Sequence, residues 1–85
     1  MNVEQLILWH LQTCSNNWAN AKRHVIVDLC RQEGISQEEA GCQAEQTLQD
    51  LVLNKKIKLI PFEKMTDNQK FIFEKDPCCV FYEIL

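Results

Sequence analysis

The sequence predicts a single α+β domain in which three helices are followed by a two- or three-stranded β region. Apolar residues recur at helical spacing up to about residue 54, and two runs rich in aliphatic and aromatic residues follow at 56–62 and 79–85. The chain has 85 residues, 46% of them hydrophobic, with only two Gly and two Pro. Such a chain can bury one small core, so we expect residues 1–85 to form one domain.

The first helix is predicted for residues 2–14. One face of it combines the residues Val3, Leu6, Ile7, His10, Leu11 and Cys14. Leu8 and Trp9 fall outside this face, so the helix needs a second covering surface, either another helix or a partner. The polar residues 15–17 predict a connection.

The second helix is predicted to begin near Asn17 or Asn20, either of which can cap it, and to end near Glu33. Gly34 follows at the position of a left-handed helix cap. The inward face consists of Ala21, Val25, Ile26, Leu29 and Cys30, and the outward residues include Lys22, Arg23 and Arg31.

The third helix carries the clearest start signal in the chain. Ser36 and Glu39 have the spacing of a capping box, and Ile35 and Ala40 stand where a hydrophobic staple would lie. The buried face is predicted to contain Ala40, Ala44, Leu48 and Leu51. The helix is expected to end at Asn54, before Lys55 and Lys56.

The C-terminal part is predicted to contain a strand at 56–62, with Pro61 near a sheet edge, and a last strand at 79–85. Residues 63–75 are ambiguous. Residues 71–73 favour a strand, whereas Thr66 and Gln69 form a weaker capping box that can start a short helix. We favour a long connection with some strand character.

Three short segments carry a resemblance to a known family: the turn at residues 34–36, the end of the third helix at Leu48, Leu51 and Val52, and the start of the first strand at residues 55–57. Together with the order of elements, they make most of the chain resemble the winged-helix superfamily. The resemblance implies a winged-helix-like fold in which residues 63–75 belong to the wing. It also implies DNA binding most often and protein–protein interaction frequently.

The distribution of charge opposes insertion of the third helix into a DNA groove. Residues 1–54 contain three basic and seven acidic residues, whereas residues 55–85 contain six Lys and five acidic residues. The third helix carries Glu38, Glu39, Glu45 and Asp50 and no basic residue before Lys55. Winged-helix proteins place this helix in the major groove, where carboxylates repel phosphates.

We therefore predict a non-enzymatic regulatory or adaptor protein that binds a protein partner, including a second copy of itself, through the acidic third helix and exposed aromatic residues. The candidate partner-binding residues are Trp9, Trp18, Gln37, Glu38, Gly41, Glu45 and Gln49. Trp and Tyr are frequent interface anchors, although such rings also commonly cover a core from outside.

The alternative is a DNA-binding transcriptional regulator that contacts phosphates through a lysine-rich wing. Its candidate residues are Lys22, Arg23, Lys55, Lys56, Lys58, Lys64 and Lys70. Lysines on an edge strand also serve to prevent aggregation between sheets.

The sequence shows no catalytic motif, and we expect neither an enzyme, nor a cofactor, nor a small-molecule substrate. His10 and Cys14 are neighbours on a helix, but no third group is marked to orient them. The five Cys lack a CxxC spacing, so we expect buried or half-buried free thiols and no metal site. A thiol- or metal-dependent role for Cys78 and Cys79 is a weaker third hypothesis.

No apolar run reaches the roughly 20 residues that cross a bilayer. No basic cluster precedes an apolar stretch at the N-terminus, so we expect no signal peptide and no membrane partner. The expected location is cytoplasmic, or nuclear if the chain comes from a eukaryote or a virus.

Overall fold

A computed structural model describes residues 2–85 as an α+β fold of four helices and a two-stranded antiparallel sheet. The elements, in chain order, are α1 (Val3–Thr13), α2 (Trp18–Glu33), α3 (Gln37–Leu53), β1 (Ile57–Leu59), a 3₁₀ turn (Phe62–Lys64), α4 (Asp67–Lys75) and β2 (Tyr82–Ile84).

Helices α2 and α3 begin at side chains that the sequence predicts as caps. Asn17 accepts a hydrogen bond from the backbone N–H of Asn20, and Ser36 accepts one from that of Glu39. Helix α2 ends at Gly34, whose φ of 65° lies in the left-handed region. Each cap satisfies backbone groups that a helix end leaves without intrahelical partners.

The core lies between α1, α2 and α3 and is extended by β1. The predicted inward faces are confirmed, since these helices contribute the buried residues Leu6, Ile7, Leu11, Ala21, Val25, Leu29, Ala40, Ala44, Leu48 and Leu51. Ile57 of β1, which is 1% exposed, joins the same cluster. Three helices and one strand thus share a single apolar interior.

Helix α3 turns into the sheet through a left-handed residue other than glycine. Lys55 has a φ of 58°, and its N–H donates to the carbonyl of Val52. The N–H of Lys56 donates to the carbonyl of Leu51 at 2.9 Å. These two bonds form a Schellman motif, which fixes the direction in which β1 leaves α3.

Strand β1 pairs with β2 so that Ile57 faces Ile84, Lys58 faces Glu83 and Leu59 faces Tyr82. The opposite edge of β2 is bordered by the connection between α1 and α2. There, Asn17 forms a bridge with Phe81, and the N–H of Trp18 donates to the carbonyl of Val80 at 2.9 Å. The start of α2 is therefore attached directly to the sheet.

The favoured prediction for residues 63–75 is wrong, because this segment contains helix α4 rather than strand-like structure. Thr66 and Gln69 form the complete capping box that the sequence offered as the alternative. Residues 71–73 lie inside this helix, and the sheet consists of β1 and β2. Both strands are also shorter than predicted. β1 stops before Pro61, which has no N–H to donate.

The five cysteines are free, as expected, but their burial differs from the prediction. Cys14, Cys30 and Cys79 are half-buried, whereas Cys42 and Cys78 are exposed. No helix of residues 2–85 is long and apolar enough to span a membrane.

The two glycines should respond in opposite directions to replacement by alanine. Gly34→Ala should lower the free energy of unfolding by about 1 kcal/mol, since a Cβ there meets no neighbouring atom but strains the left-handed backbone. Gly41→Ala should raise it by about 0.5–1 kcal/mol, because Gly41 is inside α3 and the added Cβ would make only an ordinary 3.7 Å contact with Ile26. Urea denaturation of both variants tests this, and effects of equal sign would contradict it.

Candidate functional site

A shallow groove runs between the C-terminal half of α3 and strand β2, with a volume of about 310 Å³. We call it the α3–β2 groove, and its lining residues are Glu45, Leu48, Gln49, Val52, Leu53 and Tyr82. Leu53 is 77% exposed and Val52 is 38% exposed. Large apolar side chains on a rim beside polar groups are typical of interaction surfaces.

The wall of the groove formed by α3 continues along one face of that helix. Glu38, Glu45, Gln49 and Val52 follow one another at spacings that place residues on the same side of a helix. Gln37 and Glu38 are exposed at the N-terminal end of this face. Gly41 is half-buried, and a Cβ atom placed on it would lie 3.7 Å from the Cδ1 atom of Ile26 in α2. Gly41 therefore belongs to the contact between α2 and α3.

The β2 wall of the groove is extended by β1. Leu59 is the partner of Tyr82 across the two strands, so the two side chains lie on the same face of the sheet. Leu59 is 50% exposed. The apolar surface therefore reaches from the end of α3 across Tyr82 to the edge strand.

Glu45 is the polar centre of the groove. Its Oε1 atom accepts a hydrogen bond from the indole Nε1 of Trp18 at 3.1 Å and lies 2.9 Å from the Nζ atom of Lys22. Both donors belong to α2, whereas Glu45 belongs to α3. One carboxylate oxygen thus connects the two helices and neutralises a lysine.

The surroundings of Glu45 and Tyr82 shift the pKa values of these two groove side chains. Burial alone would raise the pKa of Glu45, but the hydrogen bonds from Lys22 and Trp18 and the charge of Lys22 outweigh it and lower this pKa below 4.5. Burial, and secondarily the charge of Glu45, raises the pKa of the Tyr82 hydroxyl above 10.0. At neutral pH the groove therefore contains a carboxylate and a neutral phenol.

The two predicted tryptophans occupy different environments. Trp18 is only 5% exposed, so the prediction that it belongs to an exposed aromatic surface is wrong. Its indole N–H instead donates a hydrogen bond to Glu45. Trp9 is 52% exposed on α1, and it is not among the residues that line the groove. Of the seven candidate partner-binding residues, Glu45 and Gln49 lie in the groove itself.

The predicted nucleic-acid-binding residues are spread over several elements. Lys22 pairs with Glu45, and the Nζ of Lys56 lies 2.6 Å from Glu4. Arg23 donates a hydrogen bond to Asn20. The other candidates are Lys55 at the end of α3, Lys58 opposite Glu83, Lys64 in the 3₁₀ turn and Lys70 over the Phe62 ring. Two of the seven cations are thus neutralised within the chain.

Tyr82, Val52 and Leu53 were missed as site residues by sequence reasoning. Val52 and Leu53 follow the buried Leu51 at the end of an amphipathic helix, so their exposure depends on where β1 and β2 lie. The available signal was two further apolar residues outside the predicted inward face of α3. The signal for Tyr82 was its membership of a surplus of large apolar side chains and the frequent use of Tyr as an interface anchor, but its place beside α3 depends on pairing with β1.

A second polar cluster lies on α1 and α2, away from the groove. His10 is half-buried, and its Nε2 atom is 2.7 Å from Oδ2 of Asp28. The ring of His10 also stacks on that of His24, with centroids 5.3 Å apart. As placed, no three His, Cys, Asp or Glu side chains within residues 2–85 converge to hold a metal ion.

The thiol of Cys79 is not activated towards the thiolate. Burial and the neighbouring carboxylate of Asp76 raise the pKa of Cys79 above 9.0, which disfavours the thiolate.

Comparisons of this chain with protein-family models, with curated proteins and with solved structures find no match.

The Glu45 contacts predict a pH-dependent difference in stability. Glu45→Gln keeps an oxygen acceptor for Trp18 but removes the ion pair with Lys22, so it should lower the free energy of unfolding by about 0.5–1 kcal/mol at pH 7. The size is modest because the two side chains are 34% and 43% exposed. A carboxyl with a lowered pKa stabilises the fold above its unfolded pKa, so the difference should vanish as pH falls below 4.5.

Urea denaturation between pH 3 and pH 7 measures this difference, with Glu74→Gln on α4 as the control. A Glu45→Gln effect that is the same at both ends of the pH range would contradict the role of the carboxylate charge.

Proposed function

We propose that this chain is a non-enzymatic interaction module that binds a protein partner through the α3–β2 groove. The observation that carries the proposal is the exposure of Leu53 and Val52 beside Tyr82, next to a carboxylate that is already neutralised. Burying such a rim removes apolar area from water, and Glu45 can keep its pairing with Lys22 when it does. In this proposal the chain binds its partner without catalysing a reaction, as a regulatory or adaptor protein does.

We further propose that the fold is a variant of the winged-helix arrangement. Three helices are followed by two antiparallel strands, and the bridge of Asn17 with Phe81 adds a third element to the other edge of β2. The variant feature is α4, which stands between the strands where a wing loop is expected. In this proposal α3, the helix that such proteins commonly use for recognition, provides one wall of the groove.

Protein binding is favoured over DNA binding by the placement of charge. Helix α3 (Gln37–Leu53) carries four carboxylates and no basic side chain. The lysines of the alternative hypothesis are divided among α2, the sheet region and α4, and Lys22 and Lys56 form ion pairs. A phosphate backbone would have to displace these carboxylates, which opposes the counterion release that drives DNA affinity.

A charge placed on the groove rim should abolish partner binding while the fold persists. Leu53→Asp puts a carboxylate on the most exposed apolar residue of the groove, and burying it against a partner should weaken binding at least about 30-fold. The test is capture of partners on the immobilised chain, identification by mass spectrometry, and measurement of each Kd with the purified partner.

Phe71→Asp provides the matched control, because Phe71 is also apolar and 57% exposed but lies on α4 outside the groove. Circular dichroism and urea denaturation verify that both variants fold. If Leu53→Asp and Phe71→Asp have equal effects on binding, or if neither has one, the groove is not the binding site.

The DNA alternative has its own test in an electrophoretic shift with random-sequence duplex DNA at 50 mM and 200 mM salt. We expect no shift at micromolar protein, because the net charge of the chain is −3 and two candidate lysines are paired. A salt-sensitive shift that is lost in Lys55→Glu/Lys58→Glu/Lys64→Glu would establish DNA binding and overturn the proposal.

A further inference from the structure

The two edges of the sheet differ in how their backbone groups are satisfied. On the outer side of β2, the N–H of Tyr82 donates to the carbonyl of Asn16 at 3.0 Å, and the N–H of Trp18 donates to the carbonyl of Val80 at 2.9 Å. The connection between α1 and α2 therefore covers this edge. On the other side the sheet ends at β1.

The register of the two strands identifies the backbone groups on the outer side of β1. The N–H of Leu85 donates to the carbonyl of Lys56, and the N–H of Ile60 donates to that of Phe81. Since alternate residues of a strand direct their backbone groups to the same side, those of Ile57 and Leu59 point away from β2. Neither residue forms an outward backbone hydrogen bond with another part of residues 2–85.

This edge lies in a basic part of an acidic chain. Residues 55–64 contain four Lys and one Glu, whereas the whole chain has a net charge of −3. Lys56 is paired with Glu4. Lys58 and Lys64 are exposed and take part in none of the ion pairs found among residues 2–85. An acidic ligand is therefore attracted to the edge.

The two faces beside the edge have different chemistry, because Lys58 and Leu59 are consecutive and project to opposite faces. On one face, Lys58 and Lys64 line a depression of about 470 Å³, in which Glu83 is the one carboxylate. On the other face, Leu59 is 50% exposed beside Tyr82. A strand added to this edge would thus suit acidic side chains on one face and apolar side chains on the other.

A second copy of β1 suits this edge poorly. An antiparallel pair of β1 strands centred on Lys58 would place Lys58 opposite Lys58, and one centred on Ile57 would place Lys56 opposite Lys58. Like charges directly opposite each other destabilise a strand pair. Lysines on an edge strand prevent such self-pairing, but they do not oppose an acidic strand.

We propose that the outer edge of β1 binds an extended segment of a partner protein, in which acidic and apolar residues alternate, as an added β-strand. The backbone groups of Ile57 and Leu59 provide the hydrogen bonds, and Lys58 and Lys64 select acidic side chains. This edge offers backbone groups rather than the side-chain rim of the α3–β2 groove, so it can bind a segment whether or not the groove is occupied.

The probe for this site is a fluorescent peptide of about ten residues in which Glu alternates with Val. Fluorescence anisotropy with the full chain should give a Kd of about 10–100 µM at about 50 mM salt, because β1 is only three residues long. Binding should weaken at least about threefold at about 200 mM salt. A peptide in which Lys alternates with Val should bind at least about tenfold more weakly.

Methylation of the peptide's backbone nitrogens tests strand pairing on the unmodified protein. In an added strand, only alternate N–H groups face β1. Methylating all Val nitrogens or all Glu nitrogens should therefore have opposite outcomes: one set should abolish binding, and the other should change the Kd by less than about threefold.

Variants of Leu59 test the same edge from the protein side. Leu59→Pro removes the outward N–H but no hydrogen bond to β2, so the sheet should persist. Leu59→Ala lacks the same side chain but keeps the N–H, and it is the matched control. The proline variant should bind the Glu–Val peptide at least about tenfold more weakly than the alanine variant. Circular dichroism and urea denaturation verify that both fold.

Reversal of charge tests the selection of acidic residues. Lys58→Glu/Lys64→Glu should weaken binding of the Glu–Val peptide at least about tenfold. The control is Arg31→Glu/Lys75→Glu, which changes the net charge equally at exposed positions on α2 and α4. It should change the Kd by less than about twofold, since exposed charges farther away are screened.

Four results would each overturn the proposal. The first is no binding of the Glu–Val peptide below about 1 mM. The second is equal binding of the Glu–Val and Lys–Val peptides. The third is equal effects of the two methylation sets, which would mean charge attraction without strand pairing. The fourth is a dimer in sedimentation equilibrium that Leu59→Pro abolishes, since a second copy would then occupy the edge.

Discussion

The buried indole of Trp18 is the constraint on which the arrangement of the other elements depends. A buried Trp needs an acceptor for its ring N–H, and the acceptor here is Glu45 in the middle of α3. The backbone N–H of the same residue donates to Val80, just before β2. One residue at the start of α2 therefore holds α3 on one side and the sheet on the other, and the α3–β2 groove is the space between these two attachments.

This arrangement determines the electrostatic character of the groove. The sequence places four carboxylates on α3, and the one that lines the groove, Glu45, is neutralised by Lys22. A partner that approaches Leu53 and Val52 thus meets an apolar surface with a compensated charge, while Glu38 remains exposed farther along the helix. The carboxylates of α3 repel polyanions such as DNA before contact, and the apolar rim provides the contact area for a protein partner.

Sequence reasoning predicted the helical half of the fold closely because its signals are local. The cap residues of α2 and α3 and the inward faces of α1, α2 and α3 depend on neighbours within one or two turns, and the structure contains them as expected. Helix α4 was mispredicted because the strand propensity of residues 71–73 was given more weight than the capping box at Thr66. Propensity for a strand is realised only when a partner strand is within reach.

The candidate site was predictable only in part. The periodicity of α3 placed Glu45 and Gln49 on the outward face, which is where the groove lies. The burial of Trp18 and the contribution of Tyr82 depend on pairings between residues far apart in the chain, namely Trp18 with Glu45 and Tyr82 with Leu59. The same limit applies to His10 and Asp28, which are 18 positions apart and belong to different helices.

The loose attachment of α4 has a consequence for the dynamics of the molecule. Helix α4 has no buried residue, and its exposed aromatic side chain, Phe71, contacts the ammonium group of Lys75 from the same helix. Segments with little buried apolar surface open at a lower free energy than the core around them. Amide hydrogens of residues 67–75 should therefore exchange with solvent through local unfolding of α4. Those in the core-facing parts of α1, α2 and α3 should exchange only when the whole domain unfolds.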